Sequence, residues 1–321
     1  DSAGLLFVRN LNVELISKLS GFRNRLPRAV LSIGNFAGLH RGHTRIITEV
    51  VRRARRARVP AAVFTFASHS LAVLSPAAAP RLLMTLEERL RMFEQMGIDA
   101  VFMPRRARPV LGLPPDIFAE KILARAIGVG CIVEGRGFRF GKGRTGTLAM
   151  LRRLGHGLGF DVRTVEPVKV GGRIVSSTWV RRLLSQGRVV EAARCLGRPF
   201  LLDGTVTKWE RRGSILGFPT VNLKSPELIV PAEGVYAGET LVGKKWHAAA
   251  ICVGGAPTFG RPDADMVEAY LLDFNRDVYG QKVRVKFLRR LRGQKTFPDA
   301  EALRTQMKQD CRDVRRILGA K

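Results

Sequence analysis

Acidic side chains are scarce in this chain: 27 Asp and Glu stand against 55 Lys and Arg, a net charge of +28 over 321 residues. The charged fraction of 26% is close to the roughly 25% of ordinary soluble domains, so the skew lies in sign and not in amount. About 14 positions hold a base where an evenly split chain would hold an acid. Such a surface attracts anions, whether phosphates, nucleotides, nucleic acid or an acidic membrane face. Cysteine is also scarce. Cys131, Cys195, Cys252 and Cys311 lie far apart with no C-x-x-C pair, which excludes the usual zinc and disulfide patterns and makes a reducing cytoplasm the expected compartment. No apolar run approaches the ~18 residues of a membrane span. No signal-peptide pattern is visible, although a start at Asp1 instead of Met leaves room for residues upstream.

What is present is a real core: 45% of the residues are apolar, though only 7% are aromatic, which argues against disorder. The length suits one or two domains. From Ala29 to about residue 180, apolar runs alternate with helical stretches. AVLSIGNF (29–36), AAVFTF (61–66), DAVFMP (99–104) and CIVEG (131–135) read as buried strands, and 42–58, LEERLRMFEQMG and 116–127 as helices. Strand and helix in alternation mean a parallel α/β sheet whose ligands lie beyond the carboxyl ends of the strands.

Past residue 186 the texture changes to short β-type runs: LLDGTV, GVYAGETLV, KWHAAAICV, MVEAYLLDF and KVRVKFL. Their spacing predicts a small antiparallel barrel. A last helix over about 298–318 sets Leu303, Met307, Val314 and Ile317 on one face, to pack on that barrel. The boundary falls in LLSQGRVVEAARCLGRPF, giving domains 1–186 and 187–321.

Four strings carry candidate chemistry. The first strand runs into Gly34-Asn35-Phe36-Ala37-Gly38-Leu39-His40-Arg41-Gly42-His43. Two imidazoles at this spacing, at a helix start, can face one phosphate chain together with backbone N–H groups. Ser176-Ser177-Thr178-Trp179-Val180-Arg181 precedes another helix and reads either as an N-cap or as a second phosphate clamp. In GRGFRFGKGRTG, Gly141, Gly143 and Gly146 formally match G-x-G-x-x-G, yet no strand leads directly into them, so a mobile basic loop over a phosphate site is the better reading. In the second half, Thr220 and Asn222 of GSILGFPTVNL stand two residues apart on a strand and point the same way, a pair suited to Mg²⁺ through oxygen. Glu268 is an acid within an apolar strand, either a paired core residue or a general base. The Arg52, Arg53, Arg55, Arg56 and Arg58 run reads as a solvated helix face.

GNFAGLHRGH, VEGRGFRFGKGR, VSSTWVRRLL, LGRPF, GSILGFPTVNL, PAEGVYAG, GGAPTF and VEAYLLDFNRDVYG occur in the order found in the bacterial bifunctional riboflavin kinase/FMN adenylyltransferase (FAD synthetase) family. The chain resembles that family from about residue 28 to 316. The resemblance implies a Rossmann-like α/β nucleotidyltransferase sheet that joins FMN and ATP into FAD and pyrophosphate. It also implies a β-barrel kinase with a C-terminal helix that phosphorylates riboflavin from ATP. Both steps would use Mg²⁺. The implied ATP-binding residues are Gly38, His40, His43, Ser177, Thr178, Arg181, Gly217, Thr220 and Asn222. Thr220 and Asn222 are the implied metal ligands, and Glu268 is the implied base for the ribityl hydroxyl.

The sequence departs from the family pattern at Ala37, where Asp is usual, at Ala67, within Thr65-Phe66-Ala67-Ser68-His69-Ser70 where T-F-D-P-H-P is usual, and at Gly137, where Asn or Asp precedes F-R-F-G. All three lie in strand-end loops of the transferase half, so the adenylyl step is expected to be the weaker one. In the kinase half Trp209 stands where a turn glycine is common, and Ser214 where Arg is common, leaving Thr220, Asn222 and Glu268 in place. A rival from another class is a basic scaffold that binds RNA or another polyanion. With three Trp and three Tyr it would bind nonspecifically and with strong salt dependence.

Overall fold

The structure is a computed structural model that describes residues 12–18, 26–207, 220–224, 227–254 and 266–319. Its described residues divide between two compact units, one within Asp1–Pro80 and Thr85–Val175, the other within Arg81–Met84 and Ser176–Lys321.

The first unit is built on six parallel strands: β1 (Glu14–Ile16), β2 (Val30–Ile33), β3 (Ala61–Phe64), β4 (Ala100–Phe102), β5 (Cys131–Gly135) and β6 (Asp161–Val165), in spatial order β1-β4-β3-β2-β5-β6. The first and last of these were not among the strands read from the sequence. β1 has three residues, and Asp161, Val162, Arg163 and Thr164 of β6 are half-buried or exposed, so neither gives the continuous apolar run of a buried strand. β2 and β3 are buried throughout. Helix α1 (Arg41–Ala57) turns Ile47, Val50 and Ala54 inward, three and four residues apart. Its arginines do not form a bare charged face: Arg52 and Arg53 bind Glu49, and Arg55 binds Asp99 at 2.8 Å.

Helix α2 (Leu86–Gln95) starts where Thr85 accepts the N–H of Glu88 at 3.2 Å, an N-cap that satisfies one of the orphan donors of the first turn. Helix α3 (Phe118–Ile127) is wound in the rare π form, and α4 (Leu148–Leu158) follows. The few aromatics are spent in the core. Phe64 lies 4.8 Å from Phe102 and 5.7 Å from Phe118, and Phe118 lies 6.0 Å from Phe140. Phe140 belongs to a short hairpin, Arg139–Phe140 paired with Gly146–Thr147, so the segment read as a basic loop is tied down at its base. There Gly141 takes φ +72°, and an added Cβ would fall 2.7 Å from Pro115.

The second unit opens with helices α5 (Ser177–Ser185) and α6 (Val189–Leu196). Six antiparallel strands then close a barrel: β7 (Phe200–Thr207), β8 (Thr220–Lys224), β9 (Gly234–Val242), β10 (Lys245–Val253), β11 (Val267–Leu271) and β12 (Lys282–Arg292), in spatial order β7-β8-β11-β10-β9-β12. Helix α7 (Ala300–Leu318) packs on the outside, with Met307, Val314 and Ile317 against Ala237, Ala250 and Tyr270. Arg292 Nη2 and Asp310 Oδ2, 2.8 Å apart and both largely buried, fasten that helix to β12. All four cysteines are free.

Closure of the barrel requires Gly238, where β9 passes so near β12 that a Cβ would fall 2.0 Å from the Lys286 carbonyl oxygen and 2.4 Å from Ile251. Gly238→Ala is therefore expected to destabilise the second unit by about 1–3 kcal/mol, the usual range for overpacking. A thermal melt of the full chain that leaves its transition unmoved would refute this.

Candidate functional site

In the first unit β2 lies at the point where the chain's strand order reverses. β3 and β4 step away on one side and β5 and β6 on the other, and ligands of open α/β sheets bind at the carboxyl ends beside such a point. β2 and β5 are paired only as far as Leu31↔Ile132. Beyond that the backbones part, and the Ile33 N–H donates to Glu134 Oε1 at 2.5 Å, with the Ser32 hydroxyl donating to the same oxygen at 3.0 Å. The buried carboxyl thus replaces a rung of the ladder. Burial pushes its pKa up to about 8, against the pull of those two hydrogen bonds.

The chain leaves β2 through a tight turn in which Phe36, Gly38 and Leu39 take φ of 47°, 78° and 40°. For Phe36 and Leu39 the left-handed region costs about 1–2 kcal/mol each. Contacts hold it: the Phe36 ring meets Phe93 and His43 edge-on, both at 5.4 Å. The turn delivers His40 to the N-cap of α1, where its Nδ1 accepts the N–H of His43 at 3.3 Å. That bond points Nδ1 of His40 at the helix backbone and Nε2 away from it. The two imidazoles stack at 3.7 Å. Gly42 permits this, since a Cβ there would press on the His40 ring at 3.2 Å. Burial, and then the neighbouring His40, hold the His43 pKa well below the usual histidine range, so His43 is neutral at pH 7. Its Nδ1 is shielded from solvent without a hydrogen-bond partner among the described residues.

Around this turn, Asn35 exchanges two side-chain hydrogen bonds with Ser70, at 3.0 and 3.1 Å. A cleft of about 590 Å³ runs beside the amino end of α1, lined by Arg41, Thr44 and Arg45 and by Thr164 and Glu166. Ala37 is half-buried, while Ala67 and Gly137 are exposed.

In the second unit, Asn222 on β8 pairs with Glu268 on β11, which pairs with Cys252 on β10, so three side chains form one row across the barrel's outer face. Thr220, Tyr270 and Ala250 form the next row. The alternating residues Val221, Leu223, Val267 and Ala269 are buried in the barrel. Burial raises the Glu268 pKa above the ordinary carboxylate range. Asn222 is 7% exposed, and its Oδ1 has no hydrogen-bond partner among the described residues, the condition of an oxygen awaiting a ligand. No cluster of three or more His, Cys, Asp or Glu that could hold a metal occurs among the described residues.

Helix α5 is capped by Ser176, whose hydroxyl accepts the Trp179 N–H at 3.2 Å. Ser177 and Thr178 are its first two residues, and Arg181 donates through Nε to the Arg81 carbonyl at 2.8 Å. Burial lowers the Arg181 pKa, and its Nη2 is shielded and without a partner among the described residues. The structure therefore joins His40 to His43, and Asn222 to Glu268 with Thr220 in the next row, whereas Ser177, Thr178 and Arg181 belong to the other unit from the histidines. Gly217, Trp209 and Ser214 lie outside the described residues.

Comparison with known proteins converges on one family. The FAD synthetase profile matches residues 23–179 and the riboflavin kinase profile residues 196–318. The bifunctional riboflavin kinase/FMN adenylyltransferase of Escherichia coli K12 is 32% identical over 90% of this chain and 93% of its own length. The enzyme of the same name from Pseudomonas fluorescens is 32% identical over 95% and 98%. This chain belongs to the bifunctional riboflavin kinase/FMN adenylyltransferase family.

A solved structure described as a macrolide-efflux protein from Streptococcus pneumoniae superposes with a TM-score of 0.83 at 27% identity, covering 95% of this chain and 99% of that one. No helix among the described residues here is long and apolar enough to cross a membrane. For a riboflavin kinase/FMN adenylyltransferase family member, two residues at the first site escaped the sequence reading. Glu134 hid within the strand-like run CIVEG, and Arg89 within an ordinary amphipathic helix. The one available signal was an acid at the end of a buried strand.

The raised pKa of Glu134 sets a pH dependence. Below about 4.5 the group is protonated both folded and unfolded. Between about 4.5 and 8 the unfolded chain ionises while the folded one stays protonated, so stability falls as pH rises through that window. Glu134→Gln is expected to flatten the slope, read from melting temperatures at pH 5 and pH 8.

Proposed function

We propose that the chain carries out both steps of its family, phosphorylating riboflavin to FMN in residues 187–321 and joining FMN to the adenylyl group of ATP in residues 1–186. Its setting is the cytoplasm. The observation that carries the kinase reading is the Asn222–Glu268 pairing, which sets an acceptor oxygen beside a carboxyl of raised pKa on one face of the barrel. Glu268 takes the proton of the ribityl 5′-hydroxyl as that oxygen attacks the γ-phosphorus of ATP. The new O–P bond replaces the bond to the β-phosphate oxygen, and ADP leaves. A carboxylate whose pKa is raised by burial is a stronger base for this than an ordinary one.

Thr220 and Asn222 fit a magnesium ion, because a hard cation with few protein ligands takes neutral oxygens and completes its shell with phosphate and water. The orphaned Asn222 Oδ1 supports that assignment. When bound, the ion neutralises charge on the β- and γ-phosphates.

In adenylyl transfer an FMN phosphate oxygen attacks the α-phosphorus of ATP, the α–β bridge breaks, and pyrophosphate departs. No proton has to move, so the first unit's work is positioning and charge stabilisation. The imidazoles of His40 and His43 donate hydrogen bonds to phosphate oxygens, and the backbone N–H groups opening α1 add theirs. Ser177, Thr178 and Arg181 match the family's second nucleotide-binding motif. Loss of polar side chains at Ala37, Ala67 and Gly137 makes this the slower of the two reactions.

Purified protein with riboflavin, ATP and Mg²⁺, followed by chromatography, should form FMN first and FAD later. Glu268→Gln should lower the FMN rate by at least about 100-fold, the scale of general-base catalysis. A variant as active as the parent would sink the assignment of the base. Nothing lies within 4 Å of a Cβ added at Gly137, so Gly137→Asn is expected to restore a polar group without strain and to raise the FAD rate severalfold from supplied FMN. His43→Ala should abolish FAD and spare FMN.

A further inference from the structure

Arg89, on α2, is 7% exposed. Its guanidinium donates to three backbone carbonyls: Asn35 at 2.8 Å through Nη1, and Phe66 at 2.6 Å and Ala67 at 3.0 Å through Nη2. Asn35 follows β2 and Phe66–Ala67 follow β3, so one side chain ties together the two loops that leave adjacent strands beside the point of reversal. Among the described residues, none of its hydrogen bonds reaches a carboxylate. Burial alone pulls its pKa down, to about 10, which still leaves it charged at neutral pH.

A buried cation without a counter-charge is costly unless something else supplies one. Neither loop carries an acid: residues 34–40 read GNFAGLH and 65–70 TFASHS. Ala67 is one of the residues whose carbonyl Arg89 grips, and Ala37 lies two residues beyond another. The Arg89 Nε is shielded and without a partner among the described residues, as are Thr65 Oγ1 at the end of β3 and His43 Nδ1 beyond β2. The loops thus enclose polar groups without a partner among the described residues, at the carboxyl edge of the sheet.

We propose that Arg89 is a positioning residue of the adenylyl-transfer crevice, clamping the loops after β2 and β3 in register and lending them an uncompensated positive charge that draws the pyrophosphate portion of the nucleotide. This rests on the adenylyltransferase reading of the first unit. In this chain the loss of acids then has two opposite effects: it removes acceptors that would help the chemical step, and it unmasks a charge that strengthens binding of the anion.

The two roles separate experimentally in the full chain. Ala67 is exposed, so Ala67→Asp is accommodated, and it adds a negative charge at a residue whose carbonyl the guanidinium grips. Pyrophosphate titrated calorimetrically in EDTA is expected to bind at least about fivefold more weakly to that variant, with the melting temperature unchanged or higher. Arg89→Lys keeps the charge and loses the fork. It should hold pyrophosphate within about twofold of the parent while lowering kcat for FAD at least about tenfold, with FMN formation unchanged. Unaltered pyrophosphate affinity in Ala67→Asp, or unaltered FAD formation in Arg89→Lys, overturns the proposal. If the parent chain makes no FAD yet Ala67→Asp still weakens pyrophosphate, the functional reading has failed and the charge assignment is upheld.

Discussion

The carboxyl end of β2 is the constraint on which the first unit turns. A strand in the middle of a parallel sheet needs hydrogen-bond partners on both sides, but a ligand crevice needs its neighbours to part. At Ile33 the conflict is resolved by a side chain: Glu134 reaches back across the gap and takes the N–H that the backbone of β5 has abandoned. Arg89 does the complementary work on the other flank, gripping the carbonyls of the loops after β2 and β3. A buried acid and a buried base, neither bonded to an opposite charge among the described residues, therefore frame the turn that presents His40 and His43.

That framing explains how the turn tolerates its own geometry. Two non-glycine residues in the left-handed region persist only where surrounding contacts over-determine them, and Phe36 is pinned between Phe93 and His43. The His40 cap then couples the strained turn to the first amide groups of α1. The second unit reaches its site by a different physics. In the barrel, register alone sets Asn222 beside Glu268, because directly opposed residues on antiparallel neighbours share a face. No strained turn is needed there.

The sheet and barrel were legible because hydrophobic period reports burial. GVYAGETLV and KWHAAAICV coincide with β9 and β10, and CIVEG with β5. β1 and β6 were missed where that signal fades. AVLSIGNF was read too long, since Gly34 to Phe36 leave the strand for the turn. The arginine run of α1 illustrates another limit: its solvated face is laced to Glu49 and Asp99, the latter 44 residues away from Arg55 in the chain.

By itself the sequence determined the division into a parallel α/β half and a β-barrel half, the His40–His43 spacing, and the shortage of acids at 37, 67 and 137. Each is a property of residue types in order, which periodicity and motif spacing record directly. Only the tertiary structure decided what that shortage means. Whether a missing carboxylate leaves a neutral gap or an unbalanced cation depends on what is buried behind it, and Arg89 arrives there from a helix more than fifty residues beyond Asn35. Charge compensation acts through space in a poorly screened interior, so it is written in no local pattern of the chain.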